Sequence, residues 1–487
     1  MSAVPDCYLP SILITGSALL IMLLIAFERN HQRISRITSL GLSFALIAQY
    51  TQTGQPPYHT ELLLFDGVTM LSHLLLILVA WLLSFFLYHW LQCLDDAKEE
   101  YYLLLLLTTQ GALVVSASQH FAVFFLGLEL MSLSLVPMIA YQTVNNQALE
   151  AGIKYLVLSA LASAFMLLAI AILYLESGTL SIPDLVIKAP NLLDNHNFIH
   201  DCAIILLLVG VAFKLSLVPC HLWVADVFEG APVPTTALLA TLSKASLFVV
   251  LLRLYRFGEW YTQTQLVTMI AVIAAASMLI GNLLALLQKN LLRLIAYSSI
   301  AHFGYILLAI LALQPASALT NITTLASEAA TMYLFAYLLT VTGIFLILML
   351  LAGTTQIEQL TGLFWQQRSL AIPLILLLLS LAGIPLTIGF IGKFYLTLAA
   401  VNAQLWWLLA TLIIGSVLGL FYYLRIILLM IDQPAEETNI FVTSSALPTL
   451  TQLSVLGIVI VLVIYIGVYP SMLSGLIQEM LNLAVNQ

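Results

Sequence analysis

"LLVGVAFKLSLVPCHLW", residues 207–223, runs through seven apolar or small residues, places Lys214, and resumes its apolar run until Pro219. An ammonium in such a run, just ahead of a helix breaker, acquires meaning from the composition around it. The chain has 487 residues, of which 62% are hydrophobic and only 8% charged. A soluble domain averages roughly 45–50% apolar and about 25% charged residues. So few charges cannot cover a globular surface with polar groups, and lipid must cover it instead. The runs are long and apolar on all sides, as helices of about 20 residues require. A membrane β-barrel would show alternating segments of about 10 residues. The fold class is an all-α polytopic membrane protein, and residues 207–223 belong to a span with a charge inside it.

Hydropathy and helix breakers place about 14 transmembrane helices, near 10–27, 36–51, 69–92, 101–117, 119–142, 150–175, 202–225, 233–256, 264–285, 291–313, 329–352, 369–402, 405–431 and 451–474. Residues 1–100 hold the first three helices, 101–256 and 264–431 two five-helix units, and 432–487 a C-terminal transmembrane helix. Spans seven and twelve read as broken. The first contains "KLSLVPCHLW" (214–223). The second contains "SLAGIPLTIGFIGKFY" (380–395), where Gly383, Pro385, Gly389 and Gly392 interrupt the run. Proline removes an internal hydrogen bond and clashes with the preceding turn. In hydrocarbon the freed backbone groups need a neighbour or a cavity. Paired broken helices in two halves point to a transporter built from inverted repeats, and five, being odd, inverts each unit relative to the last. "IKYLVLSALASAF" (153–165) and "IAYSSIAHFGY" (295–305) share a tyrosine followed by small residues.

The Lys/Arg rule sets the orientation. Arg29, Arg33, Arg36, Lys98, Lys289, Arg293, Arg368 and Arg425 fall on one side, against Lys188, Arg253 and Arg256 on the side of the termini. Both termini are therefore expected outside the cytoplasm. The run Ile12–Phe27 has no basic segment before it and no small-residue cleavage site after it, so it reads as a first span rather than a cleaved signal peptide. Cys7, Cys93, Cys202 and Cys220 are far apart without a CxxC, which supports neither a disulfide framework nor a metal or iron–sulfur site. Nothing is basic enough to suggest nucleic acid.

Ionisable groups inside spans are costly and usually face the bundle interior or water. Glu129 lies in "FFLGLELMSLSLVP" (124–137), at a depth matching Lys214, and the two can pair. Such a pair either locks two helices or exchanges a proton. Lys244 lies mid-span in "TTALLATLSKASLFVV" (235–250), too far from either interface to snorkel, and Lys393 lies in the glycine-rich break of span twelve. Burial draws a lysine down from about 10.4 towards neutrality, so it can hold or release a proton as a neighbouring charge moves. Lys154 follows Glu150 by four residues and reads equally as a snorkelling surface pair or as part of the relay. His302, in "SSIAHFGY", reads equally as a satisfied interior histidine or a relay group between the halves, with Tyr297, Ser298, Ser299 and Tyr305 beside it to hold water. His221, Asp226 and Glu229 fit a solvated loop better than a proton entry.

At these residues the sequence resembles a known family. "FKLSLVPCHLWVADVFEGAPVPTTALLATLSK" (213–244), "LLRLIAYSSIAHFGY" (291–305) and "SLAGIPLTIGFIGKFY" are similar to hallmark segments of the proton-pumping membrane subunits of respiratory complex I, which are related to multisubunit cation/proton antiporters. The resemblance covers essentially the whole chain. An end soon after a fourteenth span sets the chain apart from the longest of these subunits, which carries a lateral helix. Lys393 sets it apart from the one with glutamate at that place. The resemblance implies that Glu129 and Lys214 form a coupled pair, with Lys244 the central and Lys393 the terminal lysine; Lys154 matches a family lysine of less settled role. It also implies a bacterial cytoplasmic (inner) membrane, with partners among the other complex I membrane subunits, including a neighbouring antiporter-like subunit. FMN, iron–sulfur clusters and quinone are expected in those partners, and no cofactor in this chain. The alternative is a subunit of a cation/proton antiporter.

Overall fold

Apolar runs become helices here wherever no breaker intervenes, and short polar side chains mark where they start. Asn30 accepts a hydrogen bond from the Arg33 backbone N–H at 3.1 Å, Asp66 from Thr69 at 2.9 Å, and Asn290 from Leu292 at 2.9 Å and Arg293 at 3.2 Å. Each satisfies a donor that the first helical turn leaves open. The computed structural model describes residues 6–94, 97–185, 198–258, 260–313, 320–351, 356–433 and 449–485. Lys188, used above in the orientation count, lies outside them.

The first six helices are α1 (Leu9–Phe27), α2 (His31–Gln52), α3 (Gly67–Gln92), α4 (Glu99–Ala117), α5 (Phe121–Ile139) and α6 (Asn146–Ser177). Next come α7 (Phe198–Leu215), α8 (Leu222–Gly230), α9 (Val233–Ala240), α10 (Leu242–Phe257), α11 (Thr264–Leu286), α12 (Leu291–Leu311) and α13 (Thr320–Leu350). The chain closes with the short α14 (Leu363–Gln366), then α15 (Arg368–Ala382), α16 (Ile388–Asn402), α17 (Trp406–Ile431), α18 (Leu450–Val468) and α19 (Ser471–Val485). Among the described residues 12 helices are long and apolar enough to cross a membrane, α9 and α10 counting together as one. The more polar α2 has 22 residues, and α15 and α16 are two shorter apolar helices in series. With these added, every expected span falls on helix.

The innermost helices are α9–α10, α12 and α13, which are almost wholly buried, while α1, α17 and α18 turn much of their surface outward. α13 is the strut of the fold. It packs on α3, α9, α12, α15, α16, α18 and α19, and so touches both five-helix segments and the terminal helices.

Three features depart from the expected plan. The polar connection after α2 carries a small antiparallel pair, β1 (Tyr58–His59) and β2 (Leu64–Phe65). The last span stops at Val468, because Pro470 cannot continue it, and the chain turns into α19, which packs back on α13. The span over 233–256 is not one regular helix: it is interrupted at Thr241, between α9 and α10.

Candidate functional site

Three buried or half-buried lysines each stand at a helix interruption. α7 ends at Leu215, and Ser216 adopts φ 60°, a left-handed conformation that costs a non-glycine residue about 1–3 kcal/mol. The backbone freed by the break finds partners. Leu217 N–H donates to Ala212 O at 2.8 Å, and Val218 N–H to Ser277 Oγ of α11 at 3.0 Å. Trp223 Nε1 donates to Phe213 O at 3.1 Å. Lys214, only 6% exposed, points its Nζ at two hydroxyls, Ser132 Oγ of α5 and Ser159 Oγ of α6, both at 2.6 Å.

The expected direct pair of Glu129 with Lys214 is not formed. Among the described residues no ion pair joins them. Instead Ser163 Oγ, one turn along α6 from Ser159, donates to Glu129 Oε1 at 2.5 Å. The reason is packing: α6 lies against both α5 and α7 and presents its serines between the acid and the base. Glu129 itself is half-buried, beside the exposed Leu126 and Leu133 on the outer face of α5.

The second interruption, at Thr241, precedes Lys244. The Ala240 carbonyl beside it accepts a hydrogen bond from Tyr337 OH of α13 at 3.1 Å. Lys244 is fully buried. Its Nζ donates to Ser299 Oγ of α12 at 2.7 Å and lies 5.3 Å from the Phe303 ring centre and 5.9 Å from that of Phe228.

The third interruption separates α15 from α16. Gly383 takes φ 86°, and a Cβ there would meet Lys393 Cδ at 2.8 Å. The half-buried Lys393 donates its Nζ to Ala382 O at 2.9 Å, a carbonyl that the break leaves without a helical partner. Between Lys244 and Lys393 lies a dense polar cluster. His302, 4% exposed, has its Nδ1 2.6 Å from Tyr333 OH and its Nε2 3.2 Å from Tyr423 OH; the latter hydroxyl also meets Ser298 Oγ. Asn282 of α11 donates to Tyr305 OH at 2.9 Å and accepts from Tyr422 OH at 3.0 Å. His302, Tyr333, Tyr337, Ser380 and Lys393 line a common small cavity.

Lys154 does not belong to this interior row. Its side chain is 41% exposed and bonds Glu150 Oε1 at 2.8 Å and Asp226 Oδ2 at 2.9 Å, so it is a surface lysine at the foot of α6. Asp226 also takes Arg293 Nη1 at 2.9 Å, and the same nitrogen reaches Glu229 Oε2 at 2.8 Å. Burial alone would raise the Asp226 carboxyl; the hydrogen bonds and charges of Lys154 and Arg293 prevail and hold it below the usual carboxylate value. His221, expected with these two acids, is buried instead.

Arg253, counted above as a loop cation, is 3% exposed. Its guanidinium bonds Asp66 Oδ1 at 3.0 Å, Ser116 O at 2.7 Å and Ser118 O at 3.1 Å, and it meets Thr69 Oγ1. It therefore staples α10 to the start of α3 and the end of α4. Sequence reading also missed Ser132, Ser159 and Ser163, whose role only packing reveals. It missed Glu328 too, 7% exposed on α13, although an acid in "LASEAATMYLF" (325–335) was a visible signal.

Residues 118–419 match the family model described as NADH:quinone oxidoreductase/Mrp antiporter, TM. The chain is 46% identical over 476 residues to NADH-quinone oxidoreductase subunit N of Shewanella woodyi, spanning 98% of this chain and 99% of that protein. It is 41% identical over 493 residues to the protein of the same name from Ectopseudomonas mendocina, spanning 98% and 97%. Among solved structures, a chain of respiratory complex I from Thermus thermophilus superposes with a TM-score of 0.81 at 29% identity, over 96% of this chain and 98% of that one. A chain of the Mrp complex from a Dietzia species gives 0.82 at 20% identity over 97% of each, a likeness of fold alone.

Proposed function

The chain belongs to the NADH:quinone oxidoreductase/Mrp antiporter family of membrane proteins, and from that premise we propose that it is a proton-translocating subunit of an NADH:quinone oxidoreductase. The observation that carries the reading is the coincidence of Lys214, Lys244 and Lys393 with three helix interruptions. At each interruption a lysine lies beside hydroxyls or an open carbonyl that can receive a hydrogen bond from its ammonium. A proton given up there leaves a neutral amine still solvated by the same groups.

In this reading Glu129 is the input. Its charge acts on Lys214 through Ser163 and Ser159, so a change at Glu129 shifts how firmly Lys214 holds its proton. Lys244 receives next, with Ser299 beside it. His302 and its tyrosines carry the proton towards Lys393, which faces the outlet. Redox chemistry belongs to partner subunits, which hold the FMN, iron–sulfur clusters and quinone. The two segments 101–256 and 264–431 act as inverted units, each with its own interrupted lysine helix. The host membrane is the bacterial cytoplasmic membrane with both termini on the periplasmic side; burial of Arg253 removes one cation from that side's loops and favours this orientation.

The test is isolation of the native complex with this chain in it, followed by proton uptake in inverted membrane vesicles on NADH addition. Co-purification with NADH-oxidising subunits, together with loss of pumping in assembled Lys244→Ala and Glu129→Gln variants, is expected. Co-purification with cation/proton antiporter subunits and no NADH oxidation would overturn the assignment.

A further inference from the structure

The ion pairs at the feet of α6, α8 and α12 form one connected set with a particular shape. Lys154 of α6 has two carboxylates, Glu150 at 2.8 Å and Asp226 at 2.9 Å. Arg293 of α12 also has two, Asp226 at 2.9 Å and Glu229 at 2.8 Å. Asp226 is the one carboxylate they share, one oxygen given to each cation. Asn290 reinforces Glu229 at 3.0 Å, and Gln288 accepts from Arg293 Nε at 3.3 Å.

What each cation is rooted in gives the set its meaning. Lys154 stands five residues before Ser159, whose hydroxyl holds Lys214; along a helix that is about 7.5 Å. Arg293 stands six residues before Ser299, whose hydroxyl holds Lys244, about 9 Å along α12. Asp226 itself is on α8, the continuation of the broken helix that carries Lys214. One carboxylate thus ties together the helices that fix the partners of two successive lysines. Because each cation keeps a second acid, either arm can leave Asp226 without stranding a charge. A contact that opens at low cost is the kind of element that has two stable arrangements.

We propose that Asp226 is a positioning residue that couples the Lys214 and Lys244 sites by holding α6 and α12 in register through Lys154 and Arg293. The proposal rests on the relay reading given above for those two lysines. Asp226 does not carry the proton. It sets whether Ser159 and Ser299 are in place when the proton moves from one lysine to the next.

The experiment measures protons pumped per electron in inverted vesicles across a pH series, normalised to assembled complex, for Asp226→Asn, Asp226→Glu, Lys214→Ala and the double variant Asp226→Asn/Lys214→Ala. Asp226→Asn is expected to assemble, since Glu150 and Glu229 remain, and to lower the ratio at least about twofold with a displaced pH profile; Asp226→Glu should restore most of it. In the double variant the loss should equal that of Lys214→Ala alone, because both act on one step. A wild-type ratio and pH profile in Asp226→Asn, or losses that multiply in the double variant, would overturn the proposal while leaving the lysine relay standing. Normal pumping by Lys214→Ala would overturn the relay and the proposal together. Should Asp226→Asn fail to assemble, Lys154→Gln and Arg293→Gln each cut one arm, and a wild-type ratio in both would likewise overturn it.

Discussion

Lys214 is held by two hydroxyls at 2.6 Å, and neither is an acid. That environment tolerates a neutral amine, since a serine can donate to it as readily as accept from an ammonium. A guanidinium offers no such exchange, because it does not release its proton in proteins. Lys214→Arg should therefore assemble yet pump no better than Lys214→Ala, to within about twofold. The measurement is the initial NADH-driven gradient in inverted vesicles per assembled complex, and an arginine variant pumping like wild type would reduce Lys214 to a counter-ion. At this scale the sequence was informative about charge and silent about what stands beside it. Lys214, Lys244 and Lys393 announced themselves by their cost in hydrocarbon. Ser159 and Ser163 did not, because serine is unremarkable in a span and its partner depends on how α6 packs. Of the two readings open for Lys154, the structure shows the surface pair with Glu150, and it adds Asp226 of α8, a partner that spacing along α6 could not reveal.

The broken helices were legible where glycine and proline mark them and illegible at Thr241, which has neither next to it. The break between α15 and α16 needs close backbone approach: a Cβ on Gly389 would lie 1.8 Å from Ser380 O. Gly389→Ala must move α15 away from α16 and with it the Ala382 carbonyl that holds Lys393. Assembly should survive partly, and pumping per assembled complex should fall several-fold (about 1 kcal/mol or more on the coupled step); unchanged pumping would show that this contact does not position Lys393. The Asp66–Arg253 staple at the other end of the bundle is a matter of stability. Burial alone would raise the Asp66 carboxyl, but the Arg253 guanidinium and the Thr69 hydrogen bonds outweigh it and hold the carboxyl below its usual value. A depressed folded pKa adds stability that is whole above the unfolded value of about 3.9 and is lost as pH falls through the folded value. The staple should thus contribute evenly to the melting temperature of the purified complex between about pH 8 and 5. Arg253→Met leaves a buried carboxylate unpaired and should cost about 3–5 kcal/mol, much of it recovered by adding Asp66→Asn. Melting curves that do not distinguish the single from the double variant would count against it.

For the molecule as a whole, composition settled the class and breakers the count of spans, but the inner position of α13 and the return of α19 onto it could not be read. Both depend on which apolar faces meet, and helices apolar on all sides carry little directional pattern. In the relay proposed above, Lys214 lies 5.8 Å from the centre of the Tyr155 ring, and Lys393 has a tyrosine neighbour of the same kind. The Lys393 ammonium lies 5.6 Å from the centre of the Tyr305 ring, and His302 stands edge-on to the same ring at 5.7 Å. Attraction between a cation and an aromatic face depends on the charge being present, so the electronic levels of that phenol respond to whether Lys393 is protonated. The molecule therefore contains its own optical gauge. Driving the complex with NADH should produce a small ultraviolet difference band of tyrosine type; Tyr305→Phe and Lys393→Ala should each remove the same part of it, while the part from Lys214 beside Tyr155 remains. Followed in time, the part of the band lost in both variants would give the protonation of Lys393 as a spectroscopic trace, without any dye or electrode.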